Sequence, residues 1–216
     1  KHNRDFMRRA THWLSSSLGI RQFLDIGTGI PTEPNLHQVA QAVDPTARVV
    51  YVDNDPIVLA HAGALLAGTP QGDIQYIESD IRDPSGIIEQ ARRTLDFGEP
   101  IALSLIAVLH FISDQEGAYH HVRTLMDAFP SGSYLMLSHL TADGNEENLR
   151  RATEAYAATG ISLAHRPRAG VQRFFTGLDL VDPGVVVIER WHPELGVDEV
   201  QHDGVASFYA GVGRKP

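Results

Sequence analysis

The chain has 216 residues, with 18 basic and 27 acidic side chains, and its formal net charge at pH 7 is −9. This length predicts one domain spanning residues 1–216 rather than two. The negative charge disfavours binding to nucleic acid or anionic lipid, and no apolar run approaches the roughly 18 residues of a membrane span. The absence of cysteine excludes disulfides and a thiol nucleophile. Because nothing at the N-terminus is typical of a signal peptide, we expect a cytoplasmic protein.

The first predicted element is an amphipathic helix within residues 1–19. A glycine, Gly19, follows the helical pattern, and glycine is the residue best suited to the left-handed conformation that ends a helix. The apolar residues at helical spacing are Phe6, Ala10, Trp13, Leu14 and Leu18.

Residues 20–140 alternate between short apolar segments and helical patterns. The predicted strands are Gln22–Ile26, Arg48–Asp53, Ile74–Glu78, Ile101–Ile106 and Tyr134–Leu140. Helical spacing of apolar residues between them predicts helices within Leu36–Val43, Ile57–Leu66, Ile87–Leu95 and Ala118–Phe129. This alternation is typical of a parallel sheet covered by helices on both faces, because each right-handed crossover adds one buried strand. The sequence therefore predicts a doubly wound α/β fold.

The rhythm changes in residues 141–216. A short apolar element over Phe174–Leu180 is followed by two predicted strands, Val185–Trp191 and Ala206–Val212. No helix of 10–15 residues separates these two strands, so they predict an antiparallel pair at one edge of the sheet.

The first predicted strand ends in a glycine turn, Gly27-Thr28-Gly29. Glycines at this point let a ligand approach the backbone closely and leave amides of the following helix pointing at it. A dinucleotide-binding fingerprint would need a third glycine at position 32, where this chain has Thr32. By itself the glycine pair is also compatible with a plain tight turn.

Carboxylates follow the next two strands. Asp53 ends the second strand, where it can accept hydrogen bonds from both hydroxyls of a ribose. A helix-capping role suits Asp55 better, since it directly precedes Pro56. Asp80 follows the third strand and could accept from an adenine amino group, although a solvated turn carboxylate is the simpler interpretation of Asp80 alone. Together, the polar groups at the ends of these three strands match the hydrogen-bonding groups of an adenosine.

Four segments carry a resemblance to a known family: Asp25-Ile26-Gly27-Thr28-Gly29, Val52-Asp53-Asn54-Asp55-Pro56, Ser79-Asp80-Ile81-Arg82-Asp83 and Ala107-Val108-Leu109-His110-Phe111. In order and spacing they resemble the motifs of class I S-adenosylmethionine-dependent methyltransferases. The whole chain is similar to a group of actinobacterial methyltransferases whose substrate is unassigned. The resemblance implies a Rossmann-like seven-stranded sheet, mostly parallel, whose last strand runs antiparallel between its neighbours. One departure is Pro31, where the family often has a third glycine.

The resemblance also implies contacts to the methionyl part of S-adenosylmethionine. Asp25 and the backbone of Gly27, Thr28 and Gly29 are expected to hold its amine and carboxylate. Ala107, after the fourth strand, is expected to face its ammonium group.

Four further contacts to the adenosine part are implied. Asp53 is expected to take the ribose hydroxyls, with Asn54 beside the adenine. Asp80 and the backbone of Ile81 are expected to recognise the edge of the adenine.

Two histidines are candidate catalytic bases. Methyl transfer from a sulfonium needs chiefly orientation and a dry pocket, but a hydroxyl or protonated amine acceptor would need a base. His110 follows the fourth strand and His139 lies near the end of the fifth, so both are predicted at the same sheet edge. The alternative for His110 is that its ring packs against Phe111 or caps the helix after Asp114. No metal site is predicted.

Two other functions stay open at this point. A nicotinamide (NAD)-dependent oxidoreductase would use the same loop and Asp53. In that case Asp80 would have no role at an adenine edge, and the chain would end in further parallel strand-helix units. A non-catalytic domain that binds an adenosyl ligand would lack an acceptor pocket. For a methyltransferase, the charge of −9 favours a small-molecule acceptor over nucleic acid, and a protein acceptor is compatible with the sequence.

Overall fold

The structure is a computed structural model, and it describes residues 1–65, 68–141, 143, 146–158, 160, 162–196 and 208–216. Within these residues an eight-stranded sheet is flanked by helices. The strands are β1 (Gln22–Ile26), β2 (Arg48–Asp53), β3 (Asp73–Glu78), β4 (Ala102–Ile106), β5 (Tyr134–Leu140), β6 (Asp179–Leu180), β7 (Val186–Val187) and β8 (Phe208–Arg214). The helices are α1 (His2–Leu18), α2 (Leu36–Val43), α3 (Pro56–Leu65), α4 (Pro84–Ala91), α5 (Ala118–Asp127), α6 (Glu146–Ala157) and α7 (Arg168–Gln172).

The order of the strands confirms the predicted fold class. Neighbouring strands run β3-β2-β1-β4-β5-β8-β6, with β7 also paired to β8. The pairs among β1 to β5 are parallel, and β8 runs antiparallel between β5 on one side and β6 and β7 on the other. Because the strand order reverses between β1 and β4, the loops after these two strands open a crevice at the carboxyl edge of the sheet.

Alternating side chains of each strand supply two hydrophobic cores. In β1, Phe23 belongs to the core that contains α1 and α2, through residues such as Phe6 and Leu36. Leu24, one residue later, belongs to the core that contains α4 and α5. This alternation follows from the two-residue period of a strand, and it puts helices on both faces of the sheet. Among the described residues, no helix is both long enough and apolar enough to cross a membrane.

Most predicted boundaries agree closely with the structure. The strands β1, β2 and β5 have the predicted bounds, and Gly19 ends α1 in a left-handed conformation with φ of 67°. The helix predicted to reach Leu95 ends earlier, at Ala91, and short turns follow it. Leu66, the predicted end of the third helix, lies outside the described residues.

The C-terminal strand pair differs from the prediction. The strand expected over Val185–Trp191 is correct only at Val186–Val187, and Ile188–Arg190 forms a 3₁₀ helix instead. The predicted strand Ala206–Val212 is observed as β8, and residues 206–207 lie outside the described part. Because β6 and β7 both pair with β8, the sheet has eight strands among the described residues where seven were expected, and β6 and β7 are only two residues long.

A buried arginine explains why β7 stops early. Arg9 on α1 is 2% exposed, and its guanidinium donates to the carbonyl oxygens of Ile188 at 2.8 Å and Trp191 at 2.9 Å. These carbonyls therefore bond to a side chain of α1 rather than to a neighbouring strand. The Trp191 ring is fully buried and packs edge-on against Phe6. The C-terminal segment thus fastens α1 to the sheet.

Replacement of Arg9 tests this anchor. Arg9→Met leaves two buried carbonyl oxygens without these donors, so we expect the free energy of unfolding to fall by about 2 to 4 kcal/mol in urea titrations. Arg8→Met is the matched control, because Arg8 is half-buried and its guanidinium donates to Glu33 at 3.4 Å. Equal losses for the two variants would contradict the proposed importance of the Arg9 contacts.

Candidate functional site

Two cavities meet at the glycine turn after β1. The larger one, of about 520 Å³, is lined by residues that follow β2, β3 and β4, including Asp53, Asp80 and Phe111. The smaller one, of about 240 Å³, lies between the start of α1 and the ends of β1 and β4. Gly27 lines both cavities. The carboxyl edge therefore offers two adjoining spaces with different linings.

The turn itself needs glycine at two positions for two reasons. Gly27 has φ of 76°, and a Cβ built there would lie 2.5 Å from Cγ2 of Val108. Gly29 has φ of 63°, but a Cβ there would meet no atom within 4 Å. Gly27 is thus required by crowding as well as by its backbone conformation, and Gly29 by conformation alone.

The amides of this turn already donate within the protein. The Gly27 amide donates to the carbonyl oxygen of Val52 at 2.8 Å, and the Thr28 amide to the same oxygen at 3.4 Å. The Gly29 amide donates to Oδ2 of Asp53 at 2.9 Å. The turn is thereby tied to the end of β2, and the amides that the resemblance assigns to the ligand have partners in the protein.

Asp53 and Asp55 have different surroundings in the structure. Asp53 is 8% exposed and lines the larger cavity. Its oxygens accept from the amides of Gly29 and, at 3.0 Å, Asp55. Since an ionised carboxylate has about four acceptor positions, it can still accept from two hydroxyls. Oδ1 of Asp55 instead accepts from the Ile57 amide at 2.8 Å, which is a helix-capping contact to α3.

Asp80 is held at the rim of the larger cavity by a polar cluster. Asn54 donates to Oδ2 of Asp80 at 2.8 Å, and Arg82 forms ion pairs with Asp80 at 3.1 Å and Glu116 at 2.7 Å. Burial alone would raise the pKa of Asp80, but hydrogen bonds from Arg82 and Asn54 hold it below its ordinary value. The sequence did not predict the contact between Arg82 and Glu116, because residues 34 positions apart leave no spacing signal.

Apolar side chains form the remaining walls of this cavity. Ile81 is 4% exposed, and Ile26, Val108 and Phe111 lie on the same lining. Apolar walls with carboxylate and amide groups at one rim fit a flat heteroaromatic ring that donates from its edge. The residues present therefore fit an adenosine.

The smaller cavity contains a buried carboxylate. Asp25 is 9% exposed, and burial raises its pKa to about 6, with the charge of Asp53 adding to the shift. Arg4 of α1 lines the same cavity. A carboxylate kept in a poorly solvated place suits a cationic ligand group, because that group would supply the missing charge partner.

Ala107 closes the other side of this cavity in an unusual conformation. Its φ of 56° is rare for a residue with a side chain. The amide of Ala107 donates to Oγ of Ser138 at 3.0 Å, and this hydroxyl donates to Oδ1 of Asn3 at 2.7 Å. The end of β4, the end of β5 and the start of α1 are thereby connected.

His110 lies in the 3₁₀ helix Leu109–Phe111 and is 7% exposed. Its ring is 4.3 Å from the Phe111 ring and 6.1 Å from that of Phe208, and Nδ1 has no hydrogen-bond partner among the described residues. Burial lowers the pKa of His110 to about 3, so the ring is neutral at pH 7. Neither cavity is lined by His110, although its neighbours Val108 and Phe111 line the larger one.

His139 is fully buried, and both of its ring nitrogens are hydrogen-bonded. Arg166 lies 2.6 Å from Nε2 and can only donate. Nδ1 therefore carries the proton and donates to the Leu140 carbonyl oxygen at 2.6 Å. Burial lowers the pKa of His139 to about 4. The ring lies 5.9 Å from that of His110.

Arg166 organises this part of the site, and no sequence motif pointed to it. Arg166 is 4% exposed, and its guanidinium forms an ion pair with Asp114 at 2.6 Å. It also donates to the carbonyl oxygens of Leu109 and Ile112, on either side of His110. One buried cation thus fixes the segment that carries His110.

Comparisons with known proteins agree with this geometry. The whole chain, residues 1–216, matches the family model described as S-adenosyl methyltransferase. A crystallised DUF574 family protein from Streptomyces avermitilis MA-4680 is 47% identical, with a TM-score of 0.94 over 100% of this chain and 83% of that chain. A protein from Thermobifida fusca YX, provisionally named a methyltransferase, is 36% identical, with a TM-score of 0.86 over 99% of this chain and 80% of that chain.

A more distant structure shares the fold. It is a Burkholderia thailandensis 1,6-didemethyltoxoflavin-N1-methyltransferase that holds 1,6-didemethyltoxoflavin and S-adenosylhomocysteine. It is 16% identical, with a TM-score of 0.54 over 97% of this chain and 78% of that chain. No curated protein matches the chain.

Fold and site together define a Rossmann-like protein with a place for an adenosyl cofactor. The chain belongs to the S-adenosyl methyltransferase family. It is therefore an S-adenosylmethionine-dependent methyltransferase, as the sequence resemblance implied, and S-adenosylmethionine is its cofactor. The comparisons support neither the oxidoreductase nor the non-catalytic alternative.

The raised pKa of Asp25 gives a pH-dependent prediction. The folded protein holds a proton on Asp25 more tightly than the unfolded chain does, so stability is highest below pH 4 for this group and falls as pH rises through about 6. The ionised group costs about 2 to 3 kcal/mol at pH 8. In urea titrations, Asp25→Asn should therefore stabilise the protein by about that amount at pH 8 and by only about 1 kcal/mol at pH 4.5.

The control for this experiment is Asp44→Asn. Hydrogen bonds from Thr46 lower the pKa of Asp44, so its contribution is present at neutral pH and is lost as pH falls. The Asp44 variant should be less stable than the wild type at pH 8. A stabilisation by Asp25→Asn that is the same at both pH values would show that desolvation of the charge is not its cause.

Proposed function

We propose that the larger cavity takes the adenosine part of S-adenosylmethionine, that the smaller cavity takes its methionyl part, and that the methyl group goes to a small-molecule acceptor. One observation carries this assignment. The two cavities adjoin at Gly27. The larger one has hydrogen-bonding groups that suit a ribose and an adenine, and the smaller one has charged groups that suit an amino acid. We propose that residues 1–216 act as one domain, and a cytoplasmic location stays a prediction from the sequence.

The ribose role follows from acceptor positions that are still open on Asp53. Asp53 would take both ribose hydroxyls, since each of its oxygens keeps an unused lone pair. Asp80 and the backbone of Ile81 would recognise the adenine edge, with Asn54 beside the adenine. The side chain of Ile81 would form part of the apolar wall of the cavity.

The methionyl roles rest on charge. Asp25 would accept from the ammonium group, opposite Ala107. When bound, the cofactor supplies a methyl group on a sulfonium, which is already electrophilic. The protein orients the two reactants and excludes water around them.

His110 is the base in this proposal. Nδ1 of its ring has no hydrogen-bond partner among the described residues, and in the tautomer that carries hydrogen on Nε2 this nitrogen would receive the proton that a hydroxyl or amine acceptor loses. Burial makes the ring a weak base, with a pKa of about 3, so the role requires a bound acceptor that stabilises the protonated ring. His139 suits the role less well, because its acceptor nitrogen already takes a hydrogen bond from Arg166. A small-molecule acceptor is favoured by the net charge of −9 and parallels the small molecule bound to the Burkholderia enzyme.

Calorimetry with S-adenosylhomocysteine tests the ribose contact. Asp53→Asn removes an ionised acceptor, so we expect the affinity to fall about 10- to 100-fold. The matched variant Asp55→Asn lies outside the cavity linings, and it should leave affinity within about threefold, because asparagine at position 55 can still accept from the Ile57 amide and cap α3. If Asp55→Asn costs more affinity than Asp53→Asn, the two roles have been exchanged.

The catalytic role is tested by release of S-adenosylhomocysteine with a panel of small phenols, carboxylic acids and amines. With the first acceptor that gives turnover, His110→Ala and His110→Gln should both lower the rate by roughly 10² to 10⁴, because a lost base affects the chemical step. Cofactor affinity should change no more than a few fold. His120→Gln, an exposed histidine on α5, should have no effect. A lower melting temperature with unchanged turnover per folded molecule would show that His110 only packs.

A further inference from the structure

The methionyl carboxylate lacks an obvious partner if the cofactor binds as proposed. The resemblance assigns this group to the turn after β1, but the amides of Gly27, Thr28 and Gly29 donate to Val52 and Asp53. A carboxylate brought into a poorly solvated cavity requires a charged or hydrogen-bonding partner. Asp25, the other charged group there, is of the wrong sign.

Arg4 is placed to meet this requirement. Among the described residues that line the smaller cavity, it is the one cation. Its guanidinium is steadied by the turn, since Nη1 donates to the Thr32 carbonyl oxygen at 2.7 Å and Nη2 to that of Ile30 at 3.0 Å. A guanidinium has five N–H donors, so three are left for a ligand.

We propose that Arg4, on the N-terminal helix, binds the carboxylate of the methionyl group. This inference rests on the proposed placement of the cofactor and adds a residue that no motif of the sequence contains. Arg4 and Asp25 then form a pair of opposite charges along one cavity, and the ammonium and carboxylate of an amino acid are the complementary pair. The charge of Arg4 is close enough to Asp25 to favour its ionised form.

The position of α1 agrees with this role. Asn3, the residue before Arg4, accepts from the Ser138 hydroxyl, and Ser138 also binds the amide of Ala107. One turn beyond Arg9, Trp13 packs edge-on against Trp191. The helix is therefore fixed at its first turn, beside the cavity, and again further along.

Two ligands that differ only in the carboxylate separate this role from a structural one. S-adenosylmethionine and its decarboxylated form are titrated calorimetrically into the wild type and Arg4→Met. For Arg4→Met we expect S-adenosylmethionine to bind about 10- to 100-fold more weakly and the decarboxylated ligand to change by less than about threefold. Arg4→Lys, which keeps the charge but loses the forked donors, should give an intermediate loss and replaces the Met variant if that one is unstable.

The control is Arg8→Met, one turn further along α1. Arg8 also reaches this loop, at the Glu33 carbonyl oxygen, but does not line the cavity, so both ligands should bind it as they bind the wild type. An equal loss of both ligands in Arg4→Met would show that Arg4 only shapes the loop, and no loss of either would also overturn the inference. A wild type that binds neither ligand would instead refute the proposed cofactor placement itself.

Discussion

The contact between Gly27 and Val108 constrains the whole carboxyl edge of the sheet. The turn after β1 can press against the segment after β4 only because position 27 has no side chain. The same turn donates its amides to Val52 and Asp53 on β2, so one tight turn connects three strands. The two cavities lie on either side of this point. The separation of the two cavities proposed for the adenosine and methionyl parts is thus a consequence of local backbone crowding.

Buried charges at the carboxyl edge of the sheet differ in how many hydrogen-bond and ion-pair partners they have, and the difference indicates their roles. Arg166 donates to an aspartate, a histidine and two carbonyl oxygens, which is typical of a charge that holds structure. Asp25 is buried without comparable partners, and its pKa rises to about 6 as a result. An under-compensated buried carboxylate is costly for the folded protein alone, and a cationic ligand relieves that cost. In the proposed complex, the same desolvation that destabilises the protein without ligand would strengthen binding of a cationic group.

The sequence predicts the parallel core well because its signals are local there. The bounds of β1, β2 and β5 follow from apolar runs that end at polar residues, and Asp53 and Asp80 are found at the strand ends where sheet topology requires them. The errors arise where distant residues decide. β7 stops at Val187 since Arg9, from the other end of the chain, takes the next carbonyl oxygens. The contacts of Arg82 and Arg166 likewise join residues that are far apart in the sequence, so no sequence motif contains both partners.

The proposed cofactor site and the region around His110 are formed by different parts of the chain. The proposed cofactor contacts come mostly from residues 20–140, whose strand ends form one continuous edge. The region around His110 is completed from elsewhere, because its carbonyl oxygen accepts from the Ala164 amide and its ring contacts Phe208. The start of α1 joins the same region through Asn3. If the acceptor binds beside His110 as proposed, segments outside the core can change the acceptor side while the strand ends are kept, which is why the motifs at the strand ends indicate the cofactor and not the acceptor.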